Sequence, residues 1–218
     1  MGRFDEVYQR SMEDPDGFWA EAAEDIAWYK KWDKVLDDSN PPFYKWFPGA
    51  ECNTCYNAVD RHVEDGRGEQ AAIIYDSPIT GTGRTITYAE LQDETARFAG
   101  VLSGLGVAKG DRVIIYMPMV PETAVAMLAC ARIGAIHSVV FGGFAPTELA
   151  TRITDSKPKA IVTASCGIEP SRIIEYGPIV KEAMEISSHD VDNVVMLQRE
   201  QCSSDLTGPK IHDWANAM

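Results

Sequence analysis

Two glycines between two phenylalanines, Phe141, Gly142, Gly143 and Phe144, are the first residues in this sequence that point to ligand chemistry. They end an apolar run from Ala135 to Phe141, which predicts a buried β-strand. Glycine allows a backbone to approach a ligand closely, and parallel α/β sheets bind ligands beyond the carboxyl ends of their strands. An ordinary tight turn gives the same pattern, so these residues favour a binding site without identifying its ligand.

Cys52 and Cys55 form a Cys-x-x-Cys pair, which is typical of half a zinc site or of a redox couple. A zinc site needs further ligands at matching spacing, and His62 is the only nearby candidate. The five cysteines are an odd number in a chain long enough to bury a core without disulfides. We therefore predict reduced thiols and no metal site.

The composition limits the possible partners. The 218 residues include 20 Lys and Arg against 33 Asp and Glu, a net charge of -13 that argues against nucleic acid and against an anionic membrane surface. No G-x-x-x-x-G-K-[ST] loop occurs, and the glycines from Gly104 to Gly110 end a predicted helix instead of opening one. The sequence lacks an apolar signal region and a run long enough to span a membrane, so we expect a cytoplasmic protein.

The elements that position the glycine pair alternate in type along the chain. Val113–Tyr116 predicts a strand, Glu122–Ile133 a helix, and the run ending at Phe141 a second, parallel strand reached by a right-handed crossover. The alternation continues with a helix over Pro146–Ile153, a strand over Ala160–Thr163, a helix over Ile179–Ile186 and a strand over Asn193–Leu197. The predicted fold is α/β, a mostly parallel sheet flanked by helices.

The rest of the chain predicts smaller elements. A hairpin joins Ala71–Tyr75 to Thr85–Thr87, and Thr87 caps a helix with Glu90 three residues later. Gln201–Met218 is polar and loop-like, with the start of a helix near its end. We interpret His137 as a buried core histidine, and Asp60, Arg61 and His62 as a helix-end ion-pair cluster.

Residues 1–50 differ from the remainder because they concentrate tryptophan, tyrosine and phenylalanine among many acids. Phe18, Ala22, Ile26 and Tyr29 predict one face of a helix that starts after Asp14 and Pro15. An aromatic face usually packs on a domain. We therefore divide the chain into an N-terminal helical arm, 1–50, and a main domain, 51–218.

Several longer motifs are specific enough to identify a family. The run Y-M-P-M-V-P-E-T-A-V-A-M-L-A-C-A-R-I-G-A-I-H-S-V-V-F-G-G-F at 116–144 closely resembles the AMP-forming short-chain acyl-CoA synthetases. So do D-P-D-G-F-W at 14–19, D-R-H at 60–62 and I-T-Y-A-E-L at 86–91. The similarity covers essentially the whole chain, and acetyl-CoA and propionyl-CoA synthetases are its nearest relatives.

The resemblance implies a two-step reaction on three small-molecule substrates. A short-chain carboxylate attacks ATP to give an acyl-adenylate and pyrophosphate, and the CoA thiol then displaces AMP, with Mg²⁺ as the metal of the first step. The family's phosphate loop, its ribose-binding Asp and its catalytic Lys have no match in these 218 residues. The resemblance therefore implies an N-terminal fragment whose main partner is the remainder of its own chain, with no catalytic residue and no ATP or Mg²⁺ site of its own.

The resemblance also implies which residues contact CoA. Phe141, Gly142 and Gly143 match the family's F-G-G, which lies against the nucleotide end of CoA, and Ile174 is a candidate to pack on the adenine. Arg172 matches the second arginine of a G-x-R-x-G-R segment that binds CoA phosphates. Glu169 stands where the first arginine would be, which changes the charge of the clamp. The G-I-E-P-x-R sequence followed by E-Y resembles the propionyl-CoA synthetase branch.

Three alternatives stay open at this point. The first is that the acid is acetate instead of propionate. The second is that the chain is a non-catalytic binding module on the same scaffold. The third is that it belongs to another adenylating class, such as fatty-acyl ligases or luciferase-like enzymes. The aromatic arm and the unbroken Y-M-P-M-V-P-E motif favour the short-chain group.

Overall fold

The computed structural model describes residues 2–218, and the part up to Asn57 forms the first of two compact units. It contains two helices, α1 (Arg3–Glu13) and α2 (Pro15–Ala22). A short antiparallel pair follows, made of β1 (Leu36–Asp37) and β2 (Lys45–Trp46). The Asp14 carboxylate caps α2 by accepting a hydrogen bond from the Gly17 backbone N–H at 3.0 Å, and the proline comes next, as predicted.

The predicted helical face through Ile26 and Tyr29 is wrong. Helix α2 ends at Ala22, a 3₁₀ turn covers Ala23–Asp25, and the backbone is extended at Ile26. The Trp28 indole N–H donates to the Ala23 carbonyl at 2.7 Å, which folds this ring back onto the turn. Helical spacing alone did not reveal this competing hydrogen bond.

The aromatic residues of this unit pack mainly on one another. The rings of Trp28 and Trp32 lie 5.5 Å apart, and the Phe47 ring lies 5.1 Å from Trp32. A second edge-to-face pair joins Trp19 and Trp46 at 5.8 Å. These contacts give the short chain segment an aromatic cluster of its own.

The second unit runs from Ala58 to Met218. A helical stretch with π-type turns at Tyr56–Asp60 and Val63–Arg67 spans its first residues and the last two of the first unit. Its strands are β3 (Ala71–Ser77), β4 (Thr82–Thr87), β5 (Arg112–Met117), β6 (Ile136–Phe141), β7 (Ala160–Ala164), β8 (Cys166–Glu169), β9 (Arg172–Glu175), β10 (Asn193–Leu197) and β11 (Ile211–Asp213). Its helices are α3 (Tyr88–Gly104), α4 (Pro121–Ile133), α5 (Pro146–Ser156), α6 (Tyr176–Ile186) and α7 (Trp214–Ala217).

Five of these strands form one fully parallel sheet in the order β11-β10-β7-β5-β6. In register, Val113 pairs with His137 on one side and with Ala160 on the other. Strand β5 lies inside the sheet, between β7 and β6, and its residues from Val113 to Tyr116 are fully buried. The predicted α/β class and the parallel β5–α4–β6 unit are confirmed.

Helices cover both faces of the sheet. The crossovers through α4 and through α5 run in opposite directions along the sheet, so right-handed connections place these helices on opposite faces. Helix α3 packs against α4, and α5 packs against α6. Helix α3 starts with the predicted capping box, in which Thr87 and Glu90 each accept a backbone N–H. On its buried side, the Phe98 ring stacks on Trp214 at 3.9 Å.

Strand β6 is less buried than its sequence predicts. It lies at the edge of the sheet, and Ile136, Val139 and Phe141 are 56%, 51% and 71% exposed. His137 is only half-buried on the same strand, so its interpretation as a core histidine is wrong. An apolar run predicts a buried strand. Its actual burial depends on which other elements pack against it, and the run itself does not show this.

Two strand pairings of the second unit are absent from the sequence prediction, as is the β1–β2 pair of the first unit. Strands β8 and β9 form an antiparallel hairpin, and β11 pairs in parallel with β10 inside a segment predicted as loop. The helical start predicted near the end of the chain is present as α7. No helix within residues 2–218 combines the length and the apolar character needed to cross a membrane.

Candidate functional site

A cleft of about 410 Å³ opens at the carboxyl ends of β5 and β6, where a parallel sheet usually binds its ligand. Most of its wall comes from four segments, the β3–β4 turn, the residues after β5, the glycine pair after β6, and the β8–β9 hairpin, and Tyr176 and Arg199 complete it. Predicted site residues at the cleft are Phe141, Gly142, Gly143, Glu169 and Ile174. Residues far apart in sequence therefore meet at one site.

Tyr116 holds the glycine-pair segment in place. Its fully buried side chain has one hydroxyl proton, which it donates to the Phe144 carbonyl at 2.9 Å, while the Gly142 carbonyl lies farther away, at 3.4 Å. Burial, with a smaller contribution from Tyr176, raises the pKa of Tyr116, so the phenol remains a donor. The exposed Phe141 ring stands edge-to-face against Phe144 at 5.8 Å and presents an aromatic surface beside the cleft.

A side chain explains two of the glycines. An added Cβ would lie 2.2 Å from the Tyr176 hydroxyl oxygen at Gly142 and 2.4 Å from it at Gly167. The Tyr176 phenol therefore occupies the space between the segment after β6 and the β8 strand. The sequence predicted that Gly142 allows a ligand to approach the backbone closely. In the structure it is the Tyr176 side chain that approaches the backbone at Gly142.

Glu169 and Arg172 face each other across the β8–β9 hairpin. The Arg172 Nε–H donates to Glu169 Oε2 at 2.8 Å, and their side chains are 66% and 44% exposed, Arg172 the more open. The hydrogen bond and the charge of Glu169 raise the pKa of Arg172. Arg172 lies at the hairpin turn and is not part of the cleft lining, while Glu169 is. The predicted CoA-binding arginine is therefore paired with an acid that belongs to the cleft wall.

Arg199 is a cleft residue that sequence reasoning missed. It is the only cation among the residues that line the cleft within the described part of the chain, 2–218. Its Nη1 donates to the Cys166 carbonyl at 3.1 Å, and no carboxylate of residues 2–218 lies within ion-pair distance of it. Its position two residues after the predicted strand Asn193–Leu197 was the available signal, since that is a carboxyl end of the sheet.

Tyr176 is the second missed residue. It is only 3% exposed, and its hydroxyl has no hydrogen-bond partner within residues 2–218 although it lines the cleft. Burial raises the pKa of Tyr176 to about 12, while the nearby Arg199 charge acts in the opposite direction. The phenol is therefore protonated and free to donate to a ligand.

The remaining candidate residues lie outside the cleft. Asp60 forms an ion pair, as predicted, but its partner is Arg132 of α4, with two contacts of 2.9 and 3.0 Å; Gln92 donates to the same carboxylate at 2.7 Å. His62 packs against the Tyr88 ring. Cys52 is exposed and Cys55 buried, and no cluster of three or more metal-ligand side chains occurs in residues 2–218.

Comparison with known families matches both parts of the chain. Residues 4–58 match the family described as acetyl-coenzyme A synthetase N-terminus, and residues 59–215 match the AMP-binding enzymes. The two matches meet one residue from the boundary between the two compact units.

Similar proteins include several short-chain acyl-CoA synthetases. The mitochondrial acyl-CoA synthetase short-chain family member 3 of Bos taurus is 53% identical over 198 residues, 91% of this chain and 29% of that protein. The acetyl-coenzyme A synthetase of Streptomyces coelicolor is 50% identical over 89% of this chain and 30% of its own length. The propionate–CoA ligase of Salmonella typhimurium is 45% identical over 90% of this chain and 31% of its own length.

A solved structure has the same fold. The acetoacetyl-CoA synthetase from Streptomyces lividans superposes with a TM-score of 0.87 at 24% identity, covering 100% of this chain and 33% of that one. The chain thus spans about a third of the length of the relatives it matches.

Proposed function

Since this chain belongs to the AMP-binding enzymes and carries an acetyl-coenzyme A synthetase N-terminus, we propose that it is the N-terminal part of an ATP-dependent, AMP-forming short-chain acyl-CoA ligase. In this proposal the complete polypeptide converts a short-chain carboxylate, ATP and CoA into acyl-CoA, AMP and pyrophosphate. The carboxylate–ATP step needs charge stabilisation on phosphate oxygens and a magnesium ion. We assign both of these to residues outside this chain.

The contribution we propose for the chain itself is one wall of the CoA site. The observation that carries it is the cleft, in which Phe141, Gly142 and Gly143 face Glu169 and Ile174. Phe141 offers an exposed ring on which a purine can stack, and Tyr116 fixes the segment that follows. The residues present therefore fit the nucleotide end of CoA, whose thiol supplies the nucleophile of the second half-reaction.

Propionate is the acid we propose. The reason is Glu169, which stands where acetyl-type enzymes have an arginine, within the G-I-E-P-x-R sequence of the propionyl branch. Sequence identity does not decide between the acids, because the acetyl-coenzyme A synthetase relative is 50% and the propionate–CoA ligase 45% identical.

The direct test uses the complete natural polypeptide that contains this chain. Acid-dependent pyrophosphate release is measured with acetate, propionate and butyrate at equal concentrations, with and without CoA. We expect propionate to give the highest kcat/KM. A higher value for acetate contradicts the proposed acid, and no release with any acid contradicts the ligase and favours a binding module on this scaffold.

Residues 1–218 alone provide the complementary measurement. We propose that they are inactive, because no residue in them matches the family's phosphate loop or catalytic lysine. Acid-dependent exchange of pyrophosphate with ATP should not rise above a heat-treated control. Clear exchange by this chain alone would show that the adenylating residues are within it.

A further inference from the structure

Arg199 and Tyr176 lie at the cleft, and neither belongs to the motif that suggested a CoA site. The Arg199 guanidinium has five N–H donors and uses one of them on the Cys166 carbonyl. The other four have no acceptor within the described residues 2–218. An arginine fork with this many open donors, in a cleft, matches the oxygens of a phosphate group.

Tyr176 adds an independent observation. Its side chain is almost completely buried, yet its hydroxyl has no hydrogen-bond partner within residues 2–218 and reaches the cleft between Gly142 and Gly167. Thr95 Oγ1 is the one fully buried side-chain oxygen or nitrogen of residues 2–218 that lacks a partner, so the Tyr176 hydroxyl oxygen is reached from the cleft. A hydroxyl left open at a cleft surface is therefore suited to donate to a bound ligand.

The charge around the cleft favours an anion at Arg199 in particular. Asp76 and Glu169 also line the cleft, but Glu169 is paired with Arg172 and neither acid lies within ion-pair distance of Arg199. The chain as a whole carries a net charge of -13, so an anionic ligand needs a local cation that is not already neutralised. Arg172 does not meet this condition, whereas Arg199 does.

We propose that Arg199 and Tyr176 form a phosphate-binding subsite for CoA, in which the guanidinium and the phenol donate to the same phosphate group. The subsite rests on the proposed CoA wall and adds to it a cation located within the cleft. In it Tyr176 has two roles, since its ring also fills the space between the two glycine-containing segments. Arg172, at the hairpin turn, is then an outer contact.

The experiment measures the Kd of CoA, 3′-dephospho-CoA and ATP by calorimetry on the complete natural polypeptide. Arg199→Met should weaken CoA roughly tenfold to a hundredfold, the usual range for a lost hydrogen bond to a charged group. Tyr176→Phe keeps the ring and should weaken CoA about twofold to tenfold. If the Arg199→Met protein binds CoA and dephospho-CoA with equal Kd, the group bound by Arg199 is the 3′-phosphate. If the difference in Kd persists, the bound group is the diphosphate. Either result supports the subsite.

Arg97→Met is the matched control, because Arg97 is an exposed helical arginine paired with Asp93 and is not part of the cleft. It should leave the Kd of CoA unchanged. Arg199→Lys should recover part of the CoA affinity, because it keeps the positive charge. A purely structural role through the Cys166 carbonyl would instead change the affinities for CoA and ATP together.

Two results would overturn the subsite. One is an unchanged Kd of CoA in both Arg199→Met and Tyr176→Phe; the other is an equal loss of CoA and ATP affinity, which would indicate a general structural defect. Failure of the unmodified protein to bind CoA at all would instead refute the proposed function, and the subsite with it.

Discussion

The Glu169–Arg172 ion pair leads to a prediction whose sign and size both follow from the structure. Glu169→Gln keeps the length of the side chain and removes its charge. Both partners are largely exposed, at 44% and 66% of the side chain. Exposed pairs are weak, so we expect the change in CoA affinity to be no more than about fivefold.

The expected direction is tighter binding. Glu169 occupies the Arg172 Nε–H at 2.8 Å and lines the cleft, so it competes with a phosphate for that donor and repels it. Glu169→Gln removes both effects, and Glu169→Arg should tighten CoA further. In an Arg172→Ala background the Glu169→Gln change should have a smaller effect, because only the repulsion is left to remove.

The assay is calorimetric titration of CoA into the complete natural polypeptide at low and high salt. The gain should shrink with salt, since the Debye length falls from about 10 Å at 0.1 M to about 3 Å at 1 M. Asp93→Asn, which removes the acid of an exposed ion pair on helix α3, is the control and should have no effect. Weaker CoA binding by Glu169→Gln at both salt concentrations would refute competition and show that Glu169 orients Arg172.

Three further predictions concern single residues. Arg172→Ala should weaken CoA by no more than about fivefold without changing ATP affinity, because Arg172 is exposed and already paired with Glu169; equal losses for both ligands in parallel titrations would show a structural role. Arg132→Met should lower the free energy of unfolding by about 2–3 kcal/mol, less than for a fully buried pair because Arg132 is 29% exposed. A urea midpoint equal to that of the unmodified protein would contradict this value. Burial and the neighbouring Arg67 and Arg61 charges lower the pKa of His62 in the folded protein. The unfolded chain therefore binds the proton first, and the free energy of unfolding should fall as the pH drops below about 6.5. Urea midpoints at pH 7.5 and 5.5 should therefore differ more for the unmodified protein than for His62→Gln, and equal differences would be evidence against this assignment.

The central elements could be predicted from sequence because their signals are local. Thr87 and Glu90 cap a helix with their own neighbouring backbone, and the β-branched residues of β5 are buried regardless of which strands flank them. The parallel arrangement followed from the length of the crossover helix between β5 and β6.

The remaining features depend on contacts between distant segments. The three residues of β11 pair with β10 only because the intervening chain returns to that edge, and nothing local identifies them as a strand. Likewise, Arg199 carries no motif and becomes a site residue because β10 ends beside the cleft. Glu169 and Arg172 are three residues apart, but the hairpin that pairs them was not predicted from the sequence.

The exposed edge strand β6 also affects how this chain behaves in solution. Its outer backbone groups and the apolar side chains of Ile136, Val139 and Phe141 form a template on which a strand from another molecule can add. Natural edge strands usually carry lysine, proline or a bulge to block such addition, and the run from Ile136 to Phe141 has none of these. Purified residues 1–218 are therefore expected to aggregate as their concentration rises, and Val139→Lys is the substitution best placed to keep them monomeric.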